Sequence, residues 1–448
     1  MKSLHLNMYK KINYIAAVLI LLTSISAQAQ ITTQSPYSRY GLGNVRGLLL
    51  PQFKAMGGIS TAVNKPGYYN NINMQNPASY AGITLTTIDV GMSGSFVNLT
   101  KAGAGDKSFN ATLSHFAIAM PITSHSALSF GILPYSELGY NYADVSTITS
   151  NSGTGNPTSA TVNNVYTGEG GLTKAYIGYG YRIGDHFRIG ANAEYLFGNL
   201  IENKAVEFPE DATALATRLQ TKNSVGGLTF SYGAQYDIRI NSKMLLTLGY
   251  SGSSASDIAS ERTFLATKYL YTGTNGEDDV TTETIDSVGN GKTSFKLPLV
   301  HNFGIVLQKD NKWMVGADFR TGKWSQFRIN GSNQGLQNSM GVSVGGQITP
   351  DYSSINSYFS RVDYRLGFSY DKTYIKISEN DVKQMGVSFG VGLPLASAPS
   401  RNAFYKMNFT AEVGRRGTMV KDDLRENYLN LHLGFTINDR WFRRFKFD

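Results

Sequence analysis

Several stretches of this chain alternate large apolar residues with small or polar ones, which is the period of a β-strand with two different faces. Between 171 and 183, large apolar residues occupy most odd positions, and the even ones include Lys174, Gly178, Gly180 and Arg182. The same alternation runs through 187–199, 225–240 and 428–437. Charges on the second face predict that this face is hydrated or ion-paired rather than an apolar core, whereas the first face suits an apolar surrounding.

The pattern predicts about fourteen strands in succession. They fall near 84–97, 110–120, 126–142, 170–183, 187–200, 225–240, 243–252, 300–308, 312–328, 338–348, 359–371, 383–396, 404–415 and 427–437. Tight turns at 184–186, 241–242 and 309–311 alternate with long polar connections at 145–169, 201–224 and 252–293. Within the second of these connections, 207–221 is compatible with a short helix. An even strand number with short turns at one end and long loops at the other is typical of a transmembrane antiparallel β-barrel.

A soluble β-sandwich alternates in the same way, so alternation alone does not decide between the two folds. Strands of ten or more residues with aromatic ends favour the barrel, as does a composition of 47 Gly, 27 Tyr and 23 Phe. After the first 29 residues, no segment is apolar for long enough to cross a bilayer as a helix. We therefore expect an all-β barrel over residues 84–437.

The first 29 residues have the three parts of a secretory signal peptide. Lysines at 2, 10 and 11 precede an apolar core at 14–26, and Ala27-Gln28-Ala29 forms a small-x-small cleavage site. Because this leader holds three lysines and no acid, its removal lowers the formal net charge from +9 to +6. A modest, dispersed positive charge suits the phosphate-rich surface of lipid and lipopolysaccharide and is not the clustered charge of a nucleic-acid site. We expect export to the cell outer membrane.

Candidate chemistry is sparse. The chain has no cysteine, and its six histidines are scattered without the spacing of a metal site. The glycine-rich stretches do not open a helix as a phosphate loop does, and no nucleophile-elbow motif is present. We therefore expect no enzyme activity, no catalytic residue, no metal and no cofactor.

Residues 30–83 lie between the leader and the first strand, and they are too rich in Gly and Asn for a helix and too irregular for a strand. Two short motifs stand out in this region. They are "AMGG", formed by Ala55, Met56, Gly57 and Gly58, and "NPAS", formed by Asn76, Pro77, Ala78 and Ser79.

The third predicted strand contains residues that interrupt a β-ladder. Gly131, Pro134 and Gly139 lie within it; proline lacks the N–H that pairs with a neighbour, and glycine permits a bulge. In a closed barrel, a broken ladder would open a gap in the wall. The alternative is that Pro134 lies just inside a turn.

The last eleven residues, 438–448, interleave aromatic and basic side chains in "NDRWFRRFKFD". Such a pattern can bind single-stranded nucleic acid. A periplasmic tail at the lipid interface, where aromatic residues and cations meet, is the better interpretation, so we expect no nucleic-acid partner.

Several motifs make the chain similar to the FadL-like outer-membrane family, which includes transporters of long-chain fatty acids and other hydrophobic compounds. They are "AMGG" and "NPAS", "LPLVHNFGI" at 297–305, "ADFRTGKWSQF" at 317–327, and the run from "MGVSFGVGL" at 385 to "LNLHLGFTIN" ending at 438. The resemblance implies a fourteen-stranded barrel whose lumen is plugged by an N-terminal hatch. It places both short motifs in that hatch, and it places a lateral opening at Gly131, Pro134 and Gly139.

Two functions remain open at this point. In the first, the barrel is a passive transporter that takes up hydrophobic small molecules and releases them sideways into the membrane at the third strand. In the second, it is a non-conducting structural or adaptor barrel that binds protein partners in an outer-membrane secretion or assembly complex, as the shuttle barrel of type IX secretion does among relatives of this family. The acidic connection at 252–293 would suit a partner surface, although polar charged loops are usually just solvated.

Overall fold

The computed structural model describes residues 35–440 except 66, 68, 151–157, 212, 271–279, 378, 396–402, 419 and 421–422. The predicted signal peptide at 1–29 lies outside the described residues. Of the predicted tail at 438–448, only the first three residues are described.

Long antiparallel strands make the wall of a closed barrel. Among the described residues there are fourteen: β1 Thr86–Lys101, β2 Ala104–Thr123, β3 Ser126–Ser150, β4 Thr158–Ile183, β5 Phe187–Glu207, β6 Leu215–Asn241, β7 Met244–Ser253, β8 Val300–Lys309, β9 Trp313–Gly322, β10 Ser339–Ile348, β11 Asp363–Ile377, β12 Asn380–Leu395, β13 Phe404–Gly417 and β14 Arg425–Asp439. Each pairs with the next, and β14 pairs with β1 from Arg425↔Thr100 to Asp439↔Thr86. The predicted fourteen-stranded antiparallel barrel is thereby confirmed.

Smaller elements complete the chain. A hairpin of Asp257–Leu270 and Val280–Lys296 extends the sheet beside the end of β6. Two-residue strands occur at Asn44–Val45, Arg328–Ile329 and Ser332–Asn333, 3-10 helices at Pro36–Arg39, Pro77–Gly82, Trp324–Gln326 and Phe359–Arg361, and one α-helical turn at Pro51–Lys54. No helix among the described residues is long and apolar enough to cross a membrane.

Strands β3 to β6 are longer than the sequence pattern predicts. Much of the connections expected at 145–169 and 201–224 is strand. The short helix considered at 207–221 is wrong, because the chain pairs with the hairpin from Leu215 and with β5 from Thr217. These extensions are rich in Thr, Ser and Asn, so they lack the apolar alternation that marks a strand in a membrane. Pairing with neighbouring strands extends them, and a small buried cluster of Ala205, Ala216 and Tyr269 packs between them.

The two faces of the strands differ as the alternation predicts. Large apolar side chains such as Ile177, Tyr179 and Phe230 face outward and are about half exposed (54%, 45% and 52%). Polar side chains such as Lys174 and Glu194 face the lumen and are buried. An apolar belt around a polar interior is the arrangement of a membrane-spanning barrel.

The lumen has two unlike halves. The half nearer the short turns contains the ion pairs that the sequence predicts, together with buried apolar residues of the chain before β1 that pack on the wall at Val306 and Met314. The half nearer the long connections is filled with buried apolar residues, which contradicts the expectation of an interior without an apolar core: Tyr37, Leu42, Leu138, Tyr140, Leu172, Leu196, Leu200, Val225, Ile258, Phe295, Leu297, Trp324, Phe327, Leu336, Tyr374, Ile375 and Val382. We call this set the apolar cluster. Several of its members come from loops and the hairpin, and the alternation within strands cannot predict their burial.

Candidate functional site

The chain before β1, residues 35–83, lies against the inner faces of the strands; we call it the N-terminal segment. Its three short helices all begin with proline, at Pro36, Pro51 and Pro77, where the missing N–H leaves no unsatisfied donor. Many of its apolar side chains are fully buried, including Leu50 and Phe53. Irregular backbone at membrane depth is tolerated where protein surrounds it.

The residues of the AMGG motif form a tight turn next to strands β10 to β12. Gly57 and Gly58 have φ angles of 70° and 90°, which glycine adopts without strain. The Gly57 N–H donates a hydrogen bond to Ser388 Oγ on β12 at 2.9 Å. Ala55 and Met56 are fully buried, so this motif fastens the segment to one side of the barrel.

The NPAS motif fastens it to another side. Asn76 caps the helix Pro77–Gly82, because its side-chain oxygen accepts a hydrogen bond from the Ala78 N–H at 3.1 Å. Its amide group donates to Thr61 O at 2.7 Å and lies 3.2 Å from Tyr250 O on β7. Ser79 closes the turn by donating its N–H to Asn76 O at 3.1 Å.

Asp318 on β9 binds the segment between the two motifs. Its Oδ2 atom accepts hydrogen bonds from the N–H groups of Ser60 and Thr61 and from Thr61 Oγ1, all at 2.8 Å. Asp318 is 3% exposed, and hydrogen bonds to a buried carboxylate are stronger than neutral ones. It therefore fixes the loop between the two motifs.

Glycines on the inner wall permit the closest approach of the segment. A Cβ atom on Gly367 of β11 would overlap the Gly57 nitrogen, and one on Gly249 of β7 would overlap Thr61 O. The same conflict exists on other strands at Gly180, Gly190, Gly233, Gly304, Gly345 and Gly390. The barrel wall is thus shaped to the segment on eight of the fourteen strands, β4 to β8 and β10 to β12.

Buried ion pairs lie in the short-turn half. The Asp363 carboxylate binds Arg365 at 2.7 Å and Lys406 at 2.5 Å, and all three side chains are 2% exposed overall. Lys174 and Glu194 pair at 2.6 Å. These charges satisfy one another within the protein.

The two lysines of the segment lie close to this region. Burial lowers the pKa of Lys54 below its usual value, and the nearby Glu412 carboxylate opposes that shift. Burial also lowers the pKa of Lys65. Both lysines are half-buried, so the protein shields them in part from water. Among the described residues, no group of three or more His, Asp or Glu could hold a metal ion.

The wall is discontinuous between β2 and β3. Their ladder runs only from Thr123↔Ser126 to Phe116↔Ile132, whereas β3 stays paired with β4 along its whole length. Pro134, which has no N–H, follows two residues after Ile132, and the β3–β4 register shifts between Pro134 and Ser136. Beyond this point β2 and β3 separate; we call the space between them the β2–β3 split. Gly131 lies at its start, where a Cβ would overlap Phe116 O.

The N-terminal segment occupies the split. Its strand Asn44–Val45 pairs with Glu137 and Ser136 on the free edge of β3. The Arg46 guanidinium binds Glu137, and Asn110 of β2 donates to the other oxygen of the same carboxylate at 2.6 Å.

Above this strand, the Ser35 N–H donates to Gly139 O at 2.9 Å and Ser38 Oγ donates to the same oxygen at 3.0 Å. All three candidate residues of the third strand therefore lie along the split, and Gly139 contacts the segment directly.

Sequence reasoning missed the residues that hold the segment from the barrel side. Asp318 lies within the "ADFRTGKWSQF" stretch but alternates like any inward residue, and Glu137 looks like an ordinary strand acid. Their role follows only from contacts between residues that are far apart in the chain. Asp318 binds Ser60, 258 residues away, and Glu137 binds Arg46, 91 residues away. An inward acid flanked by apolar neighbours was the available signal.

Solved structures with a similar fold are named as a FadL homologue and as toluene transporters. A Pseudomonas aeruginosa FadL homologue matches with a TM-score of 0.56 at 12% identity, covering 90% of this chain and 100% of that one. The Pseudomonas putida toluene transporter TodX matches with a TM-score of 0.54 at 15% identity, covering 90% and 100%. The Ralstonia pickettii toluene transporter TbuX matches with a TM-score of 0.54 at 13% identity, covering 88% and 98%. At these identities the likeness establishes the fold alone.

Curated proteins give no match. A family model described as BamG matches residues 8–448, which is nearly the whole chain. With its barrel fold and its match to that model over this length, the chain belongs to the BamG family.

Proposed function

We propose that this protein is a plugged, non-conducting barrel that serves as a structural subunit of an outer-membrane protein-assembly or secretion complex. The observation that carries the proposal is the attachment of the N-terminal segment to the inner wall on several sides at once. A plug that cannot leave makes the outer surfaces and loops, rather than the lumen, the functional parts. In this proposal the hatch spans 30–83 and is a permanent stopper.

Energetics favour a fixed plug over a gate. Exposing the buried side chains of Leu50, Phe53, Met56 and Ile59 would cost at least about 6 kcal/mol. Breaking the hydrogen bonds to Asp318 and Asn76 would add to that cost. A ligand shifts an equilibrium only by its difference in affinity between the two states, and micromolar binding supplies about 8 kcal/mol in total. A micromolar ligand would therefore use most of its binding energy in moving the segment, which favours a plug that stays in place.

Passive transport of hydrophobic compounds is the second candidate. The β2–β3 split favours it, because such a break offers a sideways route from lumen to lipid. The fold is also that of structures named as toluene transporters. However, the split contains a paired strand and the ion pair between Arg46 and Glu137. Transport would require these contacts to open in each cycle.

A disulfide across the split separates the two functions. Val45 and Ser136 are register partners, as cross-strand disulfides require, and the chain has no other cysteine. We expect the oxidised Val45→Cys/Ser136→Cys variant to replace the wild-type protein fully in cells, because the segment never moves. The two single-cysteine variants are the matched controls.

Two measurements read this experiment out. Cross-linking and purification of the full-length tagged chain should recover other outer-membrane proteins in a fixed proportion to it. This proportion should be the same for the wild type and the oxidised variant. Depletion should lower the amounts of other outer-membrane proteins while uptake of toluene and long-chain fatty acid stays normal. The opposite outcome is a tagged chain that purifies without partners, and a double-cysteine variant in which oxidation stops uptake of the hydrophobic compounds and reduction restores it. That outcome would establish transport and refute the structural role.

A further inference from the structure

A groove of about 580 Å³ crosses the outer surface of the barrel at β1, β2 and β11 to β14. Its floor is apolar and faces the membrane: Phe96, Phe368, Met385, Val387, Val413 and Leu429. Val387 and Val413 are 53% and 62% exposed. Their side chains are small, so they leave open the space that larger side chains fill elsewhere on the apolar outer surface of the barrel. The groove is separate from the lumen and from the β2–β3 split.

A polar row borders this floor. Lys107, Asn98, Asn427 and Arg415 are successive register partners across β2, β1, β14 and β13. The next outward row toward the short turns is Phe109, Phe96, Leu429 and Val413. The change from apolar to polar between adjacent rows marks the edge of the membrane belt. It lies toward the long-loop end, which faces the outside of the cell in barrels of this type.

The charge of the groove has one sign. Lys107 and Arg415 line it, and no acidic side chain is among its described lining residues. Three strand spacings separate the two cations, a distance of about 14 Å between their strands. Asn98 and Asn427 lie between them and offer amide donors and acceptors.

We propose that this groove binds one phosphorylated glycolipid of the outer leaflet. Its acyl chains lie on the floor at Val387, Val413 and Leu429. Lys107 and Arg415 bind two separate phosphates, and the two asparagines hydrogen-bond to the sugar between them. The proposal goes beyond the structural role proposed above and does not depend on it, since both a plug and a transporter would stand in the same lipid.

Binding is measured with the full-length protein in mild detergent. Native mass spectrometry should detect a phosphorylated glycolipid that co-purifies from its own membrane, and titration of stripped protein with bis-phosphorylated lipid A should saturate. The Lys107→Gln/Arg415→Gln variant should bind at least about tenfold more weakly, because two charge-assisted contacts are lost. Val413→Trp should weaken binding similarly by filling the floor with the charges unchanged.

Matched controls change the same residue types elsewhere. Arg239→Gln/Lys243→Gln removes one arginine and one lysine at the short-turn end, and Val315→Trp enlarges an outward residue on β9; both should bind lipid A as the wild type does. Dephosphorylated lipid A should bind weakly, and inorganic phosphate should not compete.

Three results would overturn the proposal. The first is equal binding by the wild type and the glutamine variant. The second is competition by inorganic phosphate at the affinity of the lipid, which would indicate a simple anion site. The third is a photo-crosslinker at position 413 that captures a protein rather than a lipid in intact membranes.

Discussion

In the short-turn half of the lumen the N-terminal segment contacts glycines and buried charges as well as apolar side chains, and in the long-loop half its Tyr37 and Leu42 lie within the apolar cluster. The first kind of contact is directional. Asp318 accepts hydrogen bonds from particular N–H groups of the segment. The Gly57 backbone fits beside Gly367 because that residue has no side chain. The second kind is non-directional and grows with the buried area. The comparison teaches that directional contacts set the position of the segment, whereas apolar burial, which occurs in both halves, adds stability.

Buried ion pairs contribute little net stability, because desolvation offsets their attraction, yet removing one partner is costly. Apolar side chains contribute directly, at about 1.5–3 kcal/mol each when fully buried. The two halves should therefore respond differently to mutation.

The largest effect is expected at Asp363. Replacement by alanine leaves Arg365 and Lys406 buried without their shared carboxylate. We expect the free energy of unfolding in urea to fall by about 4 kcal/mol. Asp371→Ala is the control, because its pair with Arg320 is about 30% exposed (32% and 27%) and should cost at most about 1 kcal/mol. Equal losses for both variants would show that burial of the charges is not what matters in the short-turn half.

A large but differently placed effect is expected at Phe327 in the apolar cluster. This side chain is fully buried, with Phe295 and Trp324 at ring-centroid distances of 6.3 and 6.0 Å. Phe327→Ala should leave a cavity and lower the free energy of unfolding by about 3 kcal/mol. The exposed Phe359, at 73%, provides a control whose replacement should change little. If protease cuts the Phe327→Ala variant faster at Lys65 and not in its long loops, then the two halves of the lumen are not independent.

The sequence predicts the short-turn half better than the long-loop half. Alternation within single strands identifies inward charges such as Lys174 and Glu194, because each lies opposite an apolar neighbour on the lipid face. It cannot identify the apolar cluster, whose members Phe327 and Trp324 come from a loop and meet the segment only after the barrel closes. It also cannot show that Glu137 binds Arg46, since these partners are far apart in the chain. Local period determines strands, whereas the plug and its contacts depend on long-range packing.

An intermediate effect is expected where the wall meets the segment backbone. Gly367→Ala places a methyl group on the Gly57 nitrogen, and overpacking of this kind costs about 2 kcal/mol. The barrel should still form, while trypsin should cut the segment at Lys54 or Lys65 faster than in the wild type. Gly94→Ala is the control, because its new methyl group would lie 3.4 Å from Phe109 on the outer surface. Unchanged cleavage in the Gly367 variant would show that the close approach does not position the segment.

The smallest effect is expected at Asn76, and it tests how the segment is positioned rather than how strongly it is held. Asn76→Ala removes the cap of Pro77–Gly82 and the hydrogen bond to Thr61 O, which should lower the free energy of unfolding by about 1 kcal/mol. Asn76→Asp keeps the cap but loses the donor to Thr61 O and Tyr250 O. If the directional contacts fix position, hydrogen exchange at 60–63 should increase in both variants, and exchange at 77–82 only in the alanine variant. If exchange at 60–63 increases in the alanine variant and stays at the wild-type level in the aspartate variant, then the cap, and not the bond between motif and loop, orders this half of the lumen.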